Sequence, residues 1–275
     1  MTRFCIFRGK KSFVFLLLVS GIFSFAGCSG GHGRSSTVNV VGSTSVQPFA
    51  ELLAEEYLVK NPTRNVEVQG GGSTAGLQAV RTGLAHIGMC SRTLTPEESG
   101  EFKGTLIARD GLAIVVNPSN PVGNLTLSQL CDLFSGARAN WRDVGGVAGP
   151  VRPITREEGS GTRDSFVHLV MGDSHITRRA LTQESNGAVR ELVKGDPGAI
   201  GYMSLGMVGM ELKTVRIDGI EPTAGNVLAG TYNLARPFLF VTKGEISEEA
   251  THFFDFVMSD EGQDTLEREG LVRVQ

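Results

Sequence analysis

The chain has 275 residues, of which 40% are hydrophobic and 20% charged, with 36 glycines and a formal net charge of −3. That length suits one large domain or two modest lobes, and the composition is that of a soluble globular protein, neither disordered nor fibrous. The acidic balance excludes broad binding to nucleic acid, which needs clustered positive charge.

In chain order, the first signal is an address. Arg3, Arg8, Lys10 and Lys11 precede an apolar run over residues 13–26, too short for a comfortable membrane span and of secretory-signal length. Phe25, Ala26 and Gly27 lead to Cys28, and this is similar to a bacterial lipobox, where cleavage precedes the cysteine and its sulfur takes a lipid. Residues 1–27 are therefore expected to be a lipoprotein signal peptide and 28–36 a flexible tether. An ordinary signal peptide with an incidental cysteine is the alternative. Cleavage would remove basic residues and no acidic ones, so the mature chain is more acidic than −3 suggests. If it binds an anion, a local device must do so. Cys90 and Cys131 remain and are expected to be free thiols, with pairing the alternative. No Cys/His spacing suits zinc, and neither a metal nor another cofactor is expected.

From residue 38 onward short apolar strands alternate with amphipathic stretches. Residues 38–41 read as a strand and 46–60 as a helix, with Phe49, Leu52, Leu53 and Tyr57 on one face, stopped by Asn61-Pro62. Strands are predicted at 66–68 and 87–89, around a short helix over 75–82. An apolar strand at 112–117 and another at 236–242 read as crossings between two halves. Between them come helices at 127–134, 163–171 and 189–194 and strands at 151–154 and 199–202. A final amphipathic helix covers 248–258. This alternation predicts an α/β fold with parallel sheets. The expected division is 37–116 with 238–275 in one lobe and 117–237 in the other. Ligands of open α/β sheets bind at the carboxyl ends of strands, so the connecting loops should face one cleft.

Three of those loops share a composition. Gly42-Ser43-Thr44-Ser45, Gly70-Gly71-Gly72-Ser73-Thr74 and Gly159-Ser160-Gly161-Thr162 each carry a strand into a helix. Free N–H groups at a helix start, close backbone approach at glycine and uncharged hydroxyl donors together make an anion site. Any single case could be an ordinary N-cap; three facing one cleft point to a ligand. The nucleotide phosphate loop, the G-x-G-x-x-G fingerprint and the G-x-S-x-G hydrolase elbow are all absent. Of the histidines, His86 and His168 lie nearest the hydroxyl loops, and His168 reads as a surface or packing residue.

Those loops, together with Ile87-Gly88-Met89 before Ser91-Arg92, Thr155-Arg156-Glu157-Glu158 before Gly159, Gly198-Ala199-Ile200-Gly201-Tyr202 and Arg236-Pro237, resemble the bacterial periplasmic phosphate-binding protein family. The match runs in order along the mature chain. It implies a two-lobed periplasmic-binding-protein type II fold, with two α/β lobes joined by two crossing strands and a ligand cleft between them. It also implies an extracytoplasmic receptor that passes phosphate to the membrane subunits of an ABC-type permease, acting as a lipid-anchored monomer in the periplasm or at the cell surface.

Carried over by position, Thr44 and Ser45 match the first phosphate loop, Ser73 the second, and Arg156, Ser160, Gly161 and Thr162 the third; Thr74 and Arg92 are weaker candidates. Arg156 would contact phosphate oxygens, or else pair with a nearby carboxylate at the surface. Some members carry an aspartate, which accepts a hydrogen bond from protonated phosphate, where this chain has Ser91. Asp110 is a candidate substitute. Other tetrahedral oxyanions (sulfate, arsenate, molybdate) are alternatives within the class, and a secreted phosphatase is the alternative outside it.

Overall fold

The computed structural model describes residues 37–274, so the expected signal peptide, the whole tether and the lipidation at Cys28 lie outside the described residues. β1 (Thr37–Gly42) is followed by α1 (Gln47–Lys60), β2 (Asn65–Gly70), α2 (Ser73–Arg81), β3 (Ile87–Cys90), α3 (Pro96–Glu101) and the long β4 (Lys103–Val116). Next come β5 (Asn124–Leu125), α4 (Leu127–Ser135), β6 (Arg152–Arg156), α5 (Gly161–Phe166), β7 (Leu181–Gln183), α6 (Asn186–Gly195) and β8 (Ala199–Ser204). The chain continues through β9 (Lys213–Thr214), β10 (Arg216–Ile217), α7 (Ala224–Leu228), β11 (Ala235–Thr242), α8 (Glu248–Met258), α9 (Asp260–Arg268) and β12 (Val272–Arg273).

The main strand order is β2-β1-β3-β11-β4-β8-β6-β7. β1 pairs parallel with β2 and β3, and β6 pairs parallel with β7 and β8. β11 and β4 are antiparallel to each other and to their outer neighbours. Two parallel α/β halves are thus joined through two antiparallel strands, the two-lobed plan expected above.

Each half has its own apolar centre. Val38 and Val40 alternate along β1 and pack with Phe49, Leu53 and Tyr57 of α1 and with Phe238, Phe240 and Phe253. The helical face predicted over 46–60 is therefore the buried one, because one stripe of the helix must cover the sheet. In the other half Phe134, Phe166 and Tyr202 cluster, and Phe166 stacks on Tyr202 with ring centroids 4.0 Å apart.

The lobe boundaries need correction. Residues 103–111 of β4 pair with β11, whereas 112–116 pair with β8. Leu112, Ile114 and Val116 pack with Leu125, Phe134 and Tyr202. The first crossing is therefore at Gly111, not after Val116. The second lies at Ala235, paired with Gly111, ahead of the expected boundary at Phe238. Val272 also packs in the second core, so the C-terminal segment is not wholly part of the first half. A strand buried on both faces reads as one apolar run and does not mark where its neighbours change.

Gly42 ends β1 at φ +145°, and a Cβ there would lie 2.3 Å from the Met89 carbonyl oxygen. Gly42→Ala is expected to lower stability by roughly 1–3 kcal/mol, because the obstruction is backbone and cannot swing aside. Urea unfolding measures it, and an unchanged midpoint would contradict the close approach of β1 and β3.

Candidate oxyanion-binding site

Backbone hydrogen bonds gather the loops of the first half. The Gly42 carbonyl accepts from Gly71 N at 2.8 Å and Gly72 N at 3.0 Å, and Ser43 N donates to the Met89 carbonyl at 2.9 Å. The ends of β1, β2 and β3 are thereby held together. Ser43, Ser45, Ser73 and Ser91 are all buried there. Ser43 Oγ donates to Ser91 Oγ at 2.8 Å, and Ser91 N donates to Ser73 Oγ at 3.1 Å.

The second half supplies Arg156 at the end of β6 and Ser160, Gly161 and Thr162 at the start of α5. The aromatic core positions them. The Tyr202 hydroxyl lies 2.7 Å from Thr155 Oγ1 and accepts from Arg156 N at 3.2 Å. Burial pushes the Tyr202 hydroxyl up to about 12, so it keeps its proton at neutral pH. Ser160 Oγ caps α5 by accepting from Arg163 N at 3.4 Å.

The two sets of loops are in direct contact. Ser45 Oγ and Thr162 Oγ1 are 2.7 Å apart, and Arg156 Nη2 donates to Thr44 Oγ1 at 3.0 Å. Thr74 N donates to the Gly159 carbonyl at 3.1 Å, and Ser165 Oγ to the Ser91 carbonyl at 3.1 Å. Gly161 closes the seam: a Cβ there would stand 2.2 Å from Ser73 Oγ and 2.8 Å from Ser91 Oγ. Thr44, Ser45, Ser73, Ser91, Arg156, Gly161 and Thr162 are thus brought to one place. Thr74 is exposed, and the contact it makes there is through its backbone N–H.

Arg156 is the charge at this point, and its side chain is 1% exposed. Nε donates to Glu157 Oε2 and the Gln183 carbonyl, and Nη2 to Glu157 Oε1 and the Glu184 carbonyl. The ion pair considered from the sequence therefore exists, but with a buried guanidinium. Nη1 is buried with no partner among the described residues. An unsatisfied buried donor costs roughly 1–3 kcal/mol, more when charged. A bound anion is the partner its chemistry fits.

Two weaker candidates are turned to other work. Arg92 donates to Asp164 Oδ2 at 2.9 Å and to both oxygens of Glu98, at 2.6 and 2.8 Å. Glu98 is held below the usual carboxylate range by this contact. Asp110 accepts from Ser204 Oγ at 2.9 Å, Leu205 N at 3.2 Å and Arg236 Nε at 2.9 Å. Its oxygens are committed where β4 and β11 cross, so this candidate substitute acceptor stands in a buried ion pair. Burial pushes the Asp110 carboxyl up and the Arg236 guanidinium down, against their mutual attraction. Asp110→Ala would strand the buried Arg236 charge, and a loss of roughly 3–5 kcal/mol in urea unfolding is expected.

Asn186, at the start of α6, carried no signal in the sequence beyond a Ser-Asn-Gly turn. It is buried and donates from Nδ2 to Ser45 Oγ at 2.9 Å. Cys90 and Cys131 are free, and burial pushes the Cys90 thiol up. A separate crevice of about 660 Å³, lined among others by Arg92, Asp164, His168 and Arg236, lies beside the cluster. Among the described residues no His, Cys, Asp and Glu grouping suits a metal ion.

Comparison with known proteins agrees with this fold. Residues 29–261 match the family model of the PBP superfamily domain. The phosphate-binding protein PstS of Bacillus subtilis is 29% identical, over 94% of this chain and 92% of its own length. A phosphate ABC transporter substrate-binding protein from Clostridium perfringens, solved with bound phosphate, is 40% identical. The match covers 87% of this chain and all of that one, with a TM-score of 0.85. An ABC-type phosphate transport receptor from Vibrio cholerae is 38% identical, covering 86% of this chain and all of that one, with a TM-score of 0.73.

Proposed function

This chain belongs to the PBP superfamily, and from that premise we propose that it captures inorganic phosphate outside the cytoplasm for an ABC-type permease. The observation that carries the reading is Arg156 Nη1, a buried charged donor without a partner among the described residues, where hydroxyls of three strand-to-helix junctions meet. The names of the Bacillus, Clostridium and Vibrio relatives support phosphate as the ligand.

In this reading Thr44, Ser45, Ser73, Ser91, Arg156, Ser160, Gly161 and Thr162 form the binding site. Phosphate would enter between the halves and replace the hydroxyl contacts that now join them, notably Ser45 to Thr162. Its oxygens would exchange water for hydroxyl donors, backbone N–H groups and one guanidinium. Closing the halves excludes water and strengthens each contact. Ser45, Ser73 and Thr162 bond to one another's neighbours, amides and hydroxyls, not to a histidine or carboxylate. Among the described residues none of these three hydroxyls is coupled to a general base, which favours a receptor over a phosphatase. A lipid on Cys28 and the tether over 28–36 would hold a monomer near the permease subunits.

Calorimetric titration of the mature chain with phosphate tests the reading, and absence of saturable binding would end it. Thr44→Ala is expected to weaken phosphate binding by about ten- to a hundredfold, since a hydrogen bond to a charged group contributes roughly 1.5–3 kcal/mol.

A further inference from the structure

Arg92 follows β3 on the first half, and its guanidinium meets a carboxylate from each side of the seam. Nη1 and Nη2 donate to Glu98 Oε2 and Oε1 at 2.6 and 2.8 Å, a fork that lies wholly within the first half. Glu98 is itself fixed, because its Oε2 also accepts from Thr95 N at 2.9 Å and completes the capping box of α3. Nε is left to cross the seam, where it donates to Asp164 Oδ2 on α5 at 2.9 Å. A guanidinium already oriented by a fork loses little side-chain freedom in taking up one more partner.

The surroundings make this cation matter. The Arg92 side chain is 12% exposed and that of Asp164 43%. Burial pushes the Asp164 carboxyl up; Arg92 opposes that shift, and the Glu98 charge adds to it. Two carboxylates from opposite halves thus face one guanidinium, and without it they would repel as the halves come together. The other contacts across the seam differ in kind. Ser45 with Thr162, Thr74 with Gly159 and Ser165 with Ser91 join neutral groups, and Arg156 reaches the Thr44 hydroxyl. The Arg156–Glu157 ion pair lies within one half and Arg236–Asp110 at the crossing strands, so neither has to form on closure.

We propose that Arg92 is a positioning residue that neutralises one carboxylate from each half, so that the two halves can close on phosphate. This rests on the phosphate reading and deepens it. Arg92 acts through closure and not by touching the anion, and its contribution belongs to how long phosphate is held.

The test is phosphate titration and stopped-flow release with the mature wild type, Arg92→Met, Asp164→Asn and the double variant. Methionine keeps an apolar stem and removes the charge. Arg92→Met should bind phosphate about tenfold more weakly, between the cost of losing an exposed pair and a buried one, with the loss in the off-rate. Asp164→Asn should stay within about threefold of wild type, and the double variant should return to about that level, because the repulsion has gone. Wild-type affinity in Arg92→Met overturns the inference and spares the receptor reading, whereas a wild type that binds no phosphate overturns both. A double variant as weak as Arg92→Met would confine Arg92 to anchoring α3 and overturn its role in closure. If Arg92→Met fails to fold, Asp164→Lys decides the matter, since that site is partly exposed and the new cation would face Arg92 across the seam. It should weaken binding by about tenfold although an added positive charge by itself draws phosphate in; unchanged or tighter binding overturns the inference.

Discussion

Arg156→Ala is expected to weaken phosphate binding by roughly 2–5 kcal/mol, about 30- to 5000-fold, the cost of truncating one member of a buried charged contact. The side chain is 1% exposed and its Nη1 has no protein acceptor among the described residues, so the ligand is its natural partner. Loss of the guanidinium also frees Glu157 and the carbonyls of Gln183 and Glu184. Glu157 is a quarter exposed and can return to water, which limits the damage to the fold. Arg156→Lys separates charge from geometry. It keeps a cation but cannot serve two carbonyls, a carboxylate and an anion at once, so a loss intermediate between wild type and alanine is expected. Phosphate affinity within threefold of wild type in a folded Arg156→Ala protein would remove Arg156 from the site.

Gly161→Ala should leave each half folded and still impair binding by about ten- to a hundredfold. The added methyl is acceptable to the helix that begins there, since Gly161 does not have positive φ and alanine favours helix. Across the seam it is not acceptable. The Cβ would sit 2.2 Å from Ser73 Oγ and 2.8 Å from Ser91 Oγ, both on the first half. The clash is relieved by holding the halves apart, at an overpacking cost of roughly 1–3 kcal/mol on closure. Calorimetry would show weaker phosphate binding with an unchanged urea midpoint, and X-ray scattering would show less compaction on adding phosphate. Wild-type affinity in this variant would mean that the two halves do not close at this glycine.

The elements most legible in advance were those with strong periodicity. The helix over 46–60 and the strand over 38–41 stand within a residue or so of prediction, because each has one apolar face and a stop signal. Residues 103–111 escaped because Lys103, Gly104, Arg109 and Asp110 interrupt the apolar run, although backbone pairing with β11 makes them strand. α9 is rich in Asp and Glu, and its few buried residues, such as Gln263 and Leu266, give little pattern. α3 carries a capping box from Thr95 to Glu98 but buries none of its residues, so its start was readable and its packing was not.

At the site, hydroxyl-rich junctions and Arg156 could be named from local composition alone. Glycine, serine and threonine between a strand and a helix place donors where backbone N–H groups are already unpaired, and that is a property of neighbours in sequence. Which of those donors face one another depended on pairings across 117 positions, as between Ser45 and Thr162. Local pattern contains no record of such distances. The same reason explains Arg92 and Asp110, whose charges suggested ligand contact until Glu98, Asp164 and Arg236 arrived beside them in space. It explains Asn186 as well, silent in the sequence because an amide acquires a role only when both its ends meet partners brought by other elements. The α/β class and the chemistry of the junctions were thus decided residue by residue; the crossing points, the committed arginines and the meeting of the hydroxyls were decided by packing.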